Sequence, residues 1–234
     1  MTNEILLVAS IVLIYGGVIV FYKFFGKSGL FAFSILATVL ANIEVLLVVD
    51  AFKMEMTLGN VLFASTFLIT DILSENHDGK TAKKAVAMST TASIFFIILS
   101  QMWINFVPSE SDWAMGAFQT IFANTPRMIL ASLSVYLISQ LLDVWLYHRW
   151  WDFTTKRFGD SRRGLWVRNN GSTLISQMAN TCLFTLFAFY GMYDFDTMIS
   201  IMVSSYVIFI VTSLLDTPMV YLARRIHEAA PEDK

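Results

Sequence analysis

One cysteine, four prolines and three histidines are all that 234 residues supply of those types. A single thiol, Cys182, excludes an intrachain disulfide framework and makes no metal site; it reads as a small packing residue. His77, His148 and His227 lack the spacing of zinc ligands. Charge is scarce too. Charged residues make up 15% of the chain and the formal net charge is −2, so no basic surface for nucleic acid is present. No GxxxxGK[ST] string occurs, which excludes ATP hydrolysis by this chain. Asp71 and Glu75 form a DxxxE pair, but no nucleophile–histidine–acid set accompanies them. The expected class is a non-enzyme without catalytic residues, cofactor or metal.

What the chain does have is apolar length. Apolar residues make up 56%, with 20 phenylalanines. A helix crossing a bilayer needs about 20 apolar residues, and stretches at 5–22, 30–49, 58–73, 85–107, 126–145, 172–190 and 198–222 meet or approach that length. The first lacks the basic lead region of a signal peptide, has Glu4 before it and is followed by Lys23 and Lys27, so it reads as a retained span. The third is short and is expected to end inside a cavity. The fifth starts cleanly, with Thr125 as N-cap and Pro126 in the first turn. The segment 113–122 is amphipathic enough to lie in the interface. No soluble domain fits, because the longest loop, about 146–171, is short and basic. The expectation is an all-α polytopic transmembrane bundle of about seven spans. It forms a single integral membrane domain over 1–234, with an extra N-terminal span at about 5–22 and a core at about 30–226. Its place is the cell membrane, the inner one where a cell has two.

Lysine and arginine set the orientation. Of the sixteen, fourteen fall in one set of loops, including Lys80, Lys83, Arg149, Arg162, Arg163 and Arg225. Lys53 falls in the opposite set, and Arg127 at the edge of a span. Trp103 and Trp113 mark one interface; Trp145, Trp150, Trp151 and Trp166 mark the other. This bias predicts an amino terminus outside and a carboxyl terminus in the cytoplasm.

The polar residues within these spans carry the functional signal, because an ionisable group at bilayer depth costs about 2.5–3.5 kcal/mol even on insertion scales. Glu44, Asp71, Arg127, Asp143 and Asp216 are such groups, joined by Asn42, Gln140, Gln177 and Asn180. Helical spacing aligns them. Ser132, Tyr136, Ser139 and Asp143 step by four, three and four, with Gln140 at the margin. Asn169, Thr173, Ser176 and Asn180 repeat the pattern, with Gln177 beside them. Ser205, Thr212 and Asp216 share a face, as do Asn60, Ala64, Asp71 and Glu75. Four polar stripes are expected to converge on a hydrated cavity. For the hydroxyls taken singly, helix–helix bonding at about 0.6 kcal/mol each is the plainer reading. Glu75 and Arg168 lie near the cytoplasmic ends, where simple solvation is the alternative. Arg127 sits in a first turn, where the helix dipole disfavours a cation, and Glu44 is a candidate partner for it.

Several strings together resemble the queuosine precursor transporter family, also called the vitamin uptake transporter family. They are ANIEVLLVV at 41–49, FLITDILSE at 67–75, KKAV at 83–86, TPRMILASLSVYLISQLLDV at 125–144, LWVRNNGSTLISQ at 165–177 and LLDTPMVYLARRI at 214–226. The resemblance covers about 36–226. It implies uptake of a 7-deazaguanine base: 7-cyano-7-deazaguanine, its aminomethyl relative or queuine. The substrate-path residues that match its motifs are Asn42, Asp71, Arg127, Tyr136, Gln140, Asp143, Asn169, Asn170, Thr173, Gln177 and Asp216, with Glu75 and Arg168 as secondary candidates; Glu44 and Asn180 are further secondary candidates from their place within the spans. Such a base presents ring N–H and amino donors on one edge, suited to a carboxylate, a carbonyl suited to Asn, Gln or Arg, and a flat face for Tyr136. The chain departs from the family pattern at Asn180, where an acid is usual, at Ile208, where a lysine is usual, and at His77–Asp78, where the pattern has tyrosine–glycine.

Three readings follow: a self-sufficient secondary transporter, a substrate-binding membrane subunit that docks an ATPase module, and a non-transporting scaffold. The first is preferred. The implied partners are a deazapurine base and the lipid bilayer, not nucleic acid, and a homodimer is compatible with the pattern.

Overall fold

The computed structural model describes residues 2–44, 47–123, 126–160 and 162–229. Its order is α1 (Asn3–Glu44), β1 (Val48–Ala51), β2 (Met54–Thr57), α2 (Gly59–Asn76), α3 (Gly79–Trp103), α4 (Met115–Phe122), α5 (Pro126–Phe158), α6 (Leu165–Phe189) and α7 (Phe195–Ala229). Five helices are long and apolar enough to cross a membrane: α1, α3, α6, α7 and the 130–158 part of α5. This is a multi-pass membrane bundle.

α1 is not one rod. Gly26 has φ 56° and ψ −143°, a backbone state glycine reaches without a Cβ penalty. Beyond it the chain reverses. A Cβ placed on Gly29 would lie 2.2 Å from the Phe21 carbonyl oxygen, and one on Gly17 would lie 2.9 Å from the Phe33 ring. In a straight helix residues 17 and 33 would be about 24 Å apart. Small residues thus let two antiparallel arms, 3–25 and 27–44, pack closely, with Phe21 edge-on to Phe33 at 5.2 Å.

The second arm ends at Glu44, short of the expected 49. Val48 already belongs to an antiparallel hairpin in which Ala51 pairs with Met54. Its two-residue turn places Phe52 and Lys53 at φ 51° and 61°, the left-handed pair that suits a tight hairpin. The first arm clasps this hairpin. Asn3 Nδ2 donates to the Asp50 carbonyl at 2.9 Å, and the Phe52 N–H donates to Glu4 Oε1 at 3.3 Å.

α2 is the central helix. Val61, Leu62 and every residue from Ala64 to Ser74 are buried, because α1, α3, α5 and α7 all pack on it. Its polar content (Ser65, Thr66, Thr70, Asp71, Ser74) keeps it below the hydropathy of a lipid-facing span, and protein on all sides makes lipid-facing apolarity unnecessary.

The expected loop at 146–171 is mostly helix. α5 runs on to Phe158, ending with Lys156 and Arg157 against the dipole, and α6 starts at Leu165. Gly159 and Gly164, at φ 67° and 82°, frame the short connection. A Cβ on Gly164 would meet Thr154 at 2.8 Å, so α5 and α6 form a tight pair. α4 docks Phe118 and Phe122 against Trp103, with ring centroids 6.2 and 5.9 Å apart. The expected N-cap Thr125 lies outside the described residues.

Candidate functional site

Three aspartates from three helices lie in the middle of the bundle. Asp71 (α2) and Asp143 (α5) are 0% exposed and Asp216 (α7) is 1% exposed. Asp71 and Asp143 lie within hydrogen-bonding reach of each other, and Asp216 is close enough to interact with both. α6 braces them. Thr173 donates to Asp71 Oδ2 at 3.0 Å and Ser176 donates to Asp143 Oδ1 at 2.9 Å. The stripes expected on α2, α5, α6 and α7 therefore meet in one place.

All three aspartate side chains are shut away from the surface. Two cavities open elsewhere. One, of about 360 Å³, lies beside Asp78, Lys83 and Arg149; the other, of about 720 Å³, lies between α5 and α6 at Leu130, Ala131 and Leu186.

The remaining candidates divide by how well they are satisfied. Gln140 donates to Thr66 Oγ1 at 2.5 Å and accepts from Thr70 at 3.3 Å, which ties α5 to α2. Asn170 donates to Thr217 at 2.7 Å and accepts from Ser213 at 3.3 Å, which ties α6 to α7. Asn180 accepts from Ser139 at 3.3 Å. The Tyr136 hydroxyl bonds Ser89 at 2.8 Å and Thr38 at 3.3 Å, and Phe63 stands edge-on to its ring at 5.8 Å. These four are committed to the protein.

Six acceptor oxygens in or beside the aspartate cluster have no donor: Asp71 Oδ1, Asp143 Oδ2, both oxygens of Asp216, Asn169 Oδ1 and Gln177 Oε1. Asn169, Thr173 and Gln177 step by four along α6, so the two amides flank the threonine that bonds Asp71. An unsatisfied buried polar group costs about 1–3 kcal/mol, more when charged. The Tyr15 hydroxyl approaches Asp216 while bonding the Thr212 carbonyl at 3.5 Å.

One turn from Asp71, Glu75 has the opposite surroundings. Arg168 grips it with two bonds of 2.7 and 2.5 Å, Tyr147 donates at 2.6 Å, and Arg224 stands 3.4 Å away. The Arg168 and Glu75 side chains are 0% and 2% exposed, so of their two readings simple solvation does not hold. Arg168 also lies 4.2 Å over the Trp151 ring and donates to the Arg163 carbonyl at 2.9 Å.

Asn42 is half-buried and donates to the Thr38 carbonyl of its own helix at 2.8 Å. Glu44 is half-buried at the end of α1. The Arg127 side chain, and with it the expected Arg127–Glu44 pair, lies outside the described residues. Ile208 packs with Leu7, Ala51, Met56 and Val61.

The family described as "Putative vitamin uptake transporter" matches residues 57–223, a stretch holding all three aspartates and the Glu75–Arg168 pair. The chain belongs to that vitamin uptake transporter family. A Bacillus subtilis (strain 168) protein named "Probable queuosine precursor transporter" is 39% identical over 209 residues, covering 89% of each chain. No solved structure matches. Like its family, this chain is a membrane transporter of a small molecule.

Within this vitamin uptake transporter, sequence reasoning missed Tyr15, Tyr147 and Arg224. Tyr147 is one turn from Asp143, and its spacing continues the polar stripe of α5. Tyr15 carried no signal, since it lies in the most apolar stretch of the chain.

Proposed function

We propose that this chain imports a queuosine precursor, a 7-deazaguanine base. In this reading the base is held by Asp71, Asp143, Asp216, Asn169 and Gln177. Thr173 orients Asp71, while Tyr136, Gln140, Asn170 and Asn180 shape the wall. The observation that carries it is the surplus of acceptors. Six buried oxygens without donors suit a ligand that is donor-rich along one edge, as a deazaguanine is through its ring N–H and amino groups. Asp216, whose carboxyl group meets only the Tyr15 hydroxyl among nearby donors, is suited to that edge. A charge-assisted bond there is worth about 1.5–3 kcal/mol.

The same reading takes the two arms of α1 together with α2, α3, α5, α6 and α7 as seven spans. The Glu75–Arg168 end faces the cytoplasm, following the lysine and arginine bias. Glu75 and Arg168 then close the cytoplasmic side of the path.

Uptake of labelled 7-cyano-7-deazaguanine, its aminomethyl relative and queuine by the purified chain in liposomes tests the substrate. If none is accumulated and none raises the thermal unfolding midpoint, the acceptor surplus serves another guest. A reporter fused to the carboxyl terminus tests the orientation, which fails if activity is found only outside.

A further inference from the structure

The cavity of about 360 Å³ at the start of α3 is lined by Lys80 and Lys83 of that helix and by Trp145, His148 and Arg149 of α5. Each helix leads an exposed stripe into it. On α5, Ile138, Leu141, Trp145 and Arg149 step by three, four and four. On α3, Lys80, Lys83, Ala87, Thr91 and Ile94 step by three, four, four and three. All nine are exposed, so each stripe passes from lipid-suited residues to cations over one face of its helix.

The cations are unspent. Among the described residues none of Lys80, Lys83 and Arg149 forms an ion pair, and Arg149 rests on the Trp145 ring at 5.5 Å. Two carboxylates line the same cavity. Asp78 is already engaged as the cap of α3, accepting the Thr81 N–H at 2.6 Å. That bond and the neighbouring Lys80 N–H hold its carboxyl below the usual range. Asp78 and Asp152 together face Lys80, Lys83 and Arg149, which leaves the lining with one positive charge in excess, and the N-terminus of α3 adds its own positive potential.

We propose that this cavity binds the phosphate of an anionic phospholipid, with an acyl chain lying along the α3 and α5 stripes. Basic pockets between membrane helices suit phosphate headgroups, and Trp145 stands at the depth where an aromatic ring bridges apolar and wet regions. Gly79 sets the width of the pocket. A Cβ there would come within 2.6 Å of His148 Nε2, so Gly79→Ala must displace a ring that lines the cavity. The proposal is independent of what the protein transports.

The test is thermal unfolding of the full chain in neutral detergent, titrated with phosphatidylglycerol, phosphatidylcholine or soluble glycerol phosphate. Phosphatidylglycerol is expected to raise the midpoint at concentrations where phosphatidylcholine does not. In the Lys83→Gln/Arg149→Gln variant the lipid concentration for half the effect should rise roughly thirtyfold, at about fivefold per cation. Gly79→Ala should weaken the effect without removing charge. Lys156→Gln, a cation on the same helix outside the cavity, should leave it intact. Equal shifts from both lipids, or equal losses in Lys156→Gln and the double variant, would overturn the site. A full shift from glycerol phosphate alone would overturn the lipid as its occupant.

Discussion

Asp71 and Glu75 stand one turn apart on α2, and both side chains are shut away from solvent. Glu75 has two arginines and a tyrosine around it. Asp71 has one threonine and two further aspartates. Burial is the same and so is the helix, yet one acid is neutralised within the protein and the other keeps one oxygen, Oδ1, without a donor. A buried ion pair whose geometry is complete locks four helices (α2, α5, α6 and α7) at one end of the bundle. A cluster of acceptors without donors adds nothing to stability on its own, and its retention at bilayer depth points to a guest.

The comparison breaks most readily at Arg168. Arg168→Gln leaves Glu75 buried with Arg224 as its one remaining cation and should cost about 3–5 kcal/mol of stability, read as a fall in the thermal unfolding midpoint. A loss below about 1 kcal/mol would place Glu75 with the aspartates, as a group not used for structure. Tyr147→Phe deletes one bond to the same carboxylate and should cost about 1.5–3 kcal/mol, again without abolishing ligand binding. On the other side of the comparison, Asp216→Asn should lower uptake or binding about tenfold or more, a loss of about 1.4 kcal/mol. Its unfolding midpoint should hold or rise, because an amide is cheaper to bury than a carboxyl group with no cation beside it. A variant that melts earlier and still transports would make Asp216 structural. The smallest effect is expected at Ser139→Ala, which removes the bond to Asn180 and should cost about 0.6 kcal/mol in equilibrium unfolding. A cost as large as that of Tyr147→Phe would show that the α5–α6 contact belongs with the ionic lock.

Much of this contrast could be read from residue spacing. Tyr136, Ser139 and Asp143 share a helical face, as do Asn169, Thr173, Ser176 and Asn180, and those faces meet because each helix turns its polar stripe away from lipid. The reversal between 22 and 30 was legible too, from Lys23 and Lys27 between two apolar stretches. The β-hairpin was not, because its turn uses Phe52 and Lys53 where glycine or asparagine would signal left-handed backbone, and Val48 and Val49 continue an apolar run. The extensions of α5 and α6 beyond their apolar stretches escaped because hydropathy marks where an apolar run ends, whereas the helix continues on backbone bonds and caps. Glu75 and Arg168 are 93 residues apart, so their pairing depends on tertiary packing that spacing along one helix does not encode.

α5 has one more property, and it is mechanical. At 1.5 Å per residue its 33 residues make a rod of about 50 Å, against a hydrocarbon core of about 30 Å. Asp143 sits near the middle of that rod, and Lys156 lies exposed more than three turns further on. The helix holds no proline beyond its first residue and no glycine, so it has no built-in hinge. Any tilt or rotation at the aspartates is therefore carried to its aqueous end as a lever carries displacement. A spin label or fluorophore at position 156 would report the motion of the buried site from the water phase, without touching the site itself.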